Sequence, residues 1–63
     1  MVVELFDSDT GTNVYLNPQV VMTMRPDPED PLHTTVLKLN DGETLRVRGD
    51  HDEVAAKLSS PVQ

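Results

Sequence analysis

Apolar residues alternate with polar ones along most of this chain, in short runs separated by clusters of Asp, Asn, Gly and Pro. A period of two marks strands with one buried face, because successive side chains of a strand point to opposite sides. The first such run is VVELF at 2–6, followed by the turn formers DSDTGT at 7–12. NVYL at 13–16 resumes the alternation, so the two runs predict a hairpin with a loop longer than two residues. Asn17-Pro18 breaks the pattern, since proline lacks a donor and fixes φ. QVVMTMR at 19–25 predicts a third strand, its β-branched residues and short length favouring strand over helix.

PDPEDPL at 26–32 holds three prolines and three acids in seven residues, which no strand ladder accommodates, and reads as a loop. TTVLKL at 34–39, NDG at 40–42 and TLRVR at 44–48 predict a second hairpin. The stretches DTGTNVYLN at 9–17 and NDGETLRVR at 40–48 therefore repeat one phrase, a turn and its outgoing strand. A duplication and independent use of the same turn chemistry both account for the repeat. After Gly49 the period changes. Val54, Ala55 and Leu58 share one side of a short amphipathic helix, and Asp50 stands three before Glu53 in a capping-box arrangement. Pro61 ends that helix, and residues 58–63 are expected to fray.

These elements predict an α+β fold: about five antiparallel strands in a curved sheet or small open barrel, with one C-terminal helix, in a single small domain over 1–63. The parity richest in apolar residues gives the expected core. It comprises Val3, Leu5, Val14, Leu16, Val20, Met22, Met24, Leu37, Leu39, Leu45 and Val47, joined by Val54 and Leu58 of the helix. The opposite parity holds Val2, Glu4, Phe6, Tyr15, Val21, Thr23, Thr44, Arg46, Arg48 and either Thr35 or Val36. Both aromatic residues of the chain fall in this second set. Either the sheet curls over them and makes them core, or they form an exposed patch rimmed by Arg. The second reading makes Phe6, Tyr15, Val21 and Arg46 the candidate partner-binding residues.

Composition sharpens the case for a partner. A chain of 63 residues buries only about 60% of the surface its unfolded form exposes, and without Cys it has no disulfide to compensate. Self-association or a protein partner is expected on that ground. The net charge of −6 repels phosphate backbones, so nucleic acid is a disfavoured partner. MVVELFDSD lacks the basic and apolar regions of a signal peptide, and no apolar run reaches the roughly 20 residues of a membrane span. A cytoplasmic protein without membrane insertion is the expectation.

Candidate chemistry is sparse. DSDTG at 7–11 opens like a calcium loop, but Thr12 and Pro18 stand where Gly and a carboxylate are needed. His33 and His51 lie near acids without the spacing of a transition-metal site, so no metal is expected. The RGD tripeptide at 48–50 is short enough to arise by chance, and Asp50 already serves as a helix cap. No catalytic triad, phosphate-cradling loop or roomy pocket is assembled, so neither an enzyme nor a cofactor is expected.

The order of strand, Leu16-Asn17, strand with Val20, then Thr35-x-Leu37-x-Leu39-x-Asp41-Gly42-x-x-Leu45-x-Val47 and a Glu53-Val54-x-x-Lys57-Leu58 helix resembles the small flagellar-operon proteins of the FlbD type. That resemblance implies a non-enzymatic accessory role in motility or secretion. The PDPEDPLH insertion and the acidic balance depart from the pattern. The chain also resembles, more distantly, DNA-binding domains of the LytTR type, which implies the alternative of a small transcriptional regulator. The expected function is thus a protein-interaction or assembly module.

Overall fold

The computed structural model describes residues 2–59. Strand β1 (Val3–Asp7) pairs antiparallel with β2 (Thr12–Leu16), with Val3 opposite Leu16 and Leu5 opposite Val14. A 3-10 turn (Pro18–Val20) follows, then β3 (Val21–Pro26), β4 (Thr34–Leu39), β5 (Thr44–Arg48) and helix α1 (His51–Ser59). The five strands form one antiparallel sheet in the order β2-β1-β5-β4-β3. The sheet does not close, so β2 and β3 are its edges. The architecture is α+β, five strands and a helix packed on one face.

Both hairpin turns form where the turn residues stand, but they are not copies of each other. In the first, the Asp7 carbonyl accepts from Gly11 N–H, closing a four-residue loop between the paired Asp7 and Thr12. The Asp7 carboxylate also accepts from Asp9 N–H at 2.8 Å, an Asx turn that holds the loop from inside. In the second, the Leu39 carbonyl accepts from Gly42 N–H and Leu39 N–H returns to Glu43, a tighter three-residue connection. Gly42 has a φ of 90°, which a residue with a Cβ rarely adopts.

The core consists of Val3, Leu5, Leu37, Val47 and Val54, all buried. Val14, Leu16, Val21, Met24, Leu39, Leu45 and Leu58 pack around it, half-buried. Two expected core residues are absent from this set. Val20 lies in the 3-10 turn, and Met22 is 66% exposed. For Met22 the cause is a β-bulge. Val21 opposes Leu39 and Thr23 opposes the next residue, Lys38, leaving Met22 as the extra residue. One inserted residue reverses the faces on its far side, so Val21 and Met24 share the core side although their parities differ.

Leu58 and Ser59, the first two residues of the expected frayed tail, belong to α1, and Leu58 packs against the core. The rest of the expected frayed tail falls on residues 60–63, outside the described residues. At the other end of α1 the Asp50 carboxylate accepts from Glu53 N–H at 2.8 Å, and the Asp50 carbonyl accepts from Val54 N–H. Asp50 therefore fills the N-cap position expected of it. Asp52 and Glu53 in the first turn and Lys57 in the last complement the helix dipole.

Candidate interaction face

Directly opposed residues of an antiparallel sheet share a face, so the register defines which side chains lie opposite the helix. Across β3, β4 and β5 one row of this outer face is Arg25, Val36 and Arg46. The next row is Thr23, Lys38 and Thr44, and on the other side Thr34 opposes Arg48. β1 and β2 add Glu4 opposite Tyr15 and Phe6 opposite Asn13. Four of the five Lys and Arg residues of the chain thus stand on one side of the sheet, the fifth being Lys57 of the helix.

The sequence-derived candidates divide. Phe6, Tyr15 and Arg46 lie on this outer face. Val21 does not: it packs against the core beside Leu39, because the bulge at Met22 shifts its register. Thr35 is also a core-side residue, fully buried, with its hydroxyl donating to the Gly49 carbonyl at 2.9 Å, and Val36 takes the outer position. Arg25 and Lys38 belong to the face and were missed as a pair. Their signal was available in the parity they share with Thr23 and Val36.

The aromatic end of the face is polar as well as apolar. Tyr15 is 67% exposed, and its hydroxyl donates to Glu4 at 3.2 Å. The Glu4 charge, with that hydrogen bond, raises the Tyr15 hydroxyl above its ordinary pKa. Phe6 is half-buried, and the Arg48 guanidinium sits over its ring at 4.7 Å from the centroid, a cation–π contact.

Arg46 is held rather than free. Its Nε donates to Asp27 Oδ2 at 3.0 Å, Nη2 donates to the same oxygen, and Nη1 donates to Asp9 at 2.9 Å. The other oxygen of Asp27 accepts from Glu29 N–H at 3.0 Å. That backbone donor first, and Arg46 second, lower the Asp27 pKa below the ordinary carboxylate range. In turn, the hydrogen bond and charge of Asp27 raise the Arg46 pKa. Arg46 thereby joins the β1–β2 turn to the β3–β4 loop across β5. Among the described residues no carboxylate lies within ion-pair distance of Arg25, Lys38 or Arg48.

Two depressions border these residues. The larger, an open cleft of about 700 Å³ beside the β3–β4 loop, is lined by charges of both signs, Arg46, Arg48, Asp30 and Glu53 among them. The smaller, about 280 Å³, lies on the outer face between Thr23, Arg25, Val36, Lys38 and Thr44. No group of three or more His, Cys, Asp or Glu side chains among the described residues is arranged to hold a metal ion. No helix among them is long and apolar enough to cross a membrane. Comparison with models of known families, with curated proteins and with solved structures finds no match to this chain.

Proposed function

We propose that this chain is a non-enzymatic protein-interaction or assembly module whose working surface is the sheet face opposite α1. The observation that carries the reading is the segregation of charge. A chain of net charge −6 concentrates Arg25, Lys38, Arg46 and Arg48 on one face, beside an exposed Tyr15. Arg and Tyr are among the residue types enriched where proteins meet. The resemblance to flagellar-operon proteins supplies an accessory role in motility or secretion as the setting of this module, in the cytoplasm.

The same cations favour one other reading, a small nucleic-acid-binding regulator. Affinity capture from an extract of the source cells separates the two. Immobilised wild type is compared with a Tyr15→Ser/Arg48→Ser variant that melts like wild type, with and without nuclease. A protein retained by the wild type and lost by the variant supports the interaction module. Retention that disappears on nuclease treatment favours the regulator, and identical retention by both chains removes the face from consideration.

A further inference from the structure

We infer that the groove between Arg25 and Lys38 docks a carboxylate-bearing, extended segment of a partner protein, an inference that rests on the reading of the outer face as the working surface. Val36, Thr23 and Thr44 line the groove with the two cations, and it encloses about 280 Å³. Arg25 opposes Val36, and Lys38 stands two residues further along β4, so the cations lie diagonally across the strand pair. Diagonal positions are roughly 7–8 Å apart at the backbone. Alternate side chains of an extended peptide repeat at about 7 Å. A peptide of alternating acidic and apolar residues therefore meets Arg25 and Lys38 with successive carboxylates on one of its sides.

Charge, symmetry and the sheet edge together select this occupant. Charge complementarity requires an anion, because Arg25 and Lys38 have no acidic neighbour within ion-pair distance among the described residues. A second copy meeting this face about a two-fold axis through the groove would set Arg25 and Lys38 against like charges. A nucleic acid, the densest of polyanions, meets the −6 net charge and the Glu4 carboxylate on the same face. It also finds few stacking rings, since Arg48 already covers the Phe6 ring. Beside the groove, β3 is an edge strand, so an extended segment has unpaired backbone groups next to it.

Fluorescence anisotropy tests the inference with three labelled probes: an alternating Glu-Val peptide, its Gln-Val analogue, and oligo(dT). The Glu-Val peptide is expected to bind, to weaken as salt rises, and to lose roughly tenfold or more in affinity in an Arg25→Glu/Lys38→Glu variant, with no binding of the Gln-Val analogue. Both positions are exposed, so circular dichroism should show the variant folded. The inference is overturned by failure of the Glu-Val peptide to bind, by equal binding to the variant, or by tighter binding of oligo(dT). The same variant in the capture experiment distinguishes its failure from failure of the broader reading. A captured protein lost with Tyr15→Ser/Arg48→Ser but kept with Arg25→Glu/Lys38→Glu moves docking to the aromatic end and defeats the groove alone. One kept by both variants defeats the face as well.

Discussion

Arg46 and Asp27, 19 residues apart in the chain, are joined by two donors of one guanidinium converging on a single carboxylate oxygen. Asp27 is 3% exposed, and its second oxygen is occupied by the Glu29 amide, so the carboxylate is satisfied only while the β3–β4 loop keeps its shape. Arg46 also holds Asp9, and so one side chain spans two loops that the sheet places on either side of β5.

This contact gives stability a defined acid limb. The folded Asp27 pKa is lowered, so between it and the ordinary carboxylate value, about 3.9, the unfolded chain binds more protons. Its contribution is complete above the unfolded value and is lost as pH falls through the folded one. Asp27→Asn should melt lower than wild type at neutral pH and lose less stability on acidification. Thermal melts of both chains across the acid range check this, and parallel curves would mean that Asp27 is not a source of the pH dependence.

Tyr15 and Glu4 give an alkaline counterpart that is read directly. The folded Tyr15 pKa is raised by Glu4, so its contribution is present below the ordinary tyrosine value and is lost as pH rises through the folded one. Ultraviolet absorbance should show phenolate formation at higher pH in the wild type than in Glu4→Gln. Coincident titrations would dissolve the pair, and the polar anchoring of Tyr15 with it.

The Asp50 cap predicts a helix-specific loss. Asp50→Ala should cost about 0.5–2 kcal/mol and reduce helical signal, whereas Asp50→Ser should retain most of both. Leu37→Ala, at a fully buried position, should cost about 2–5 kcal/mol and serves as the reference for a core loss. Denaturant melts of the three variants make the comparison. An Asp50→Ala chain as stable as wild type would leave the helix start without its cap.

The bulge in β3 predicts opposite tolerances for adjacent residues. Met22→Ser should change stability by no more than about 0.5 kcal/mol, since Met22 is largely exposed. Val21→Ala should cost about 1 kcal/mol or more, because it removes methyl groups packed against the core. Equilibrium unfolding of both variants decides the register. The reverse order would restore Met22 to the core and put Val21 on the outer face.

Local chemistry determined the elements. Alternation defined β4 and β5 to the residue, the Asp and Gly clusters located both hairpins, and Asp50 three before Glu53 marked the helix start. Each depends on neighbours within a few positions, which is what periodicity and capping register. The bulge at Met22 escaped because it depends on how β3 meets β4, and one unpaired residue moved Val21 from the outer set to the core. Charge followed the same division. Arg25, Lys38, Arg46 and Arg48 are dispersed among acids along the chain, and their shared parity within each strand was readable. Only strand pairing set them side by side on one face, because lateral order in a sheet is fixed by contacts between segments distant in the chain. The hold of Asp27 on Arg46 likewise arose from tertiary packing, which brought a loop carboxylate to a guanidinium that alternation alone left at the rim.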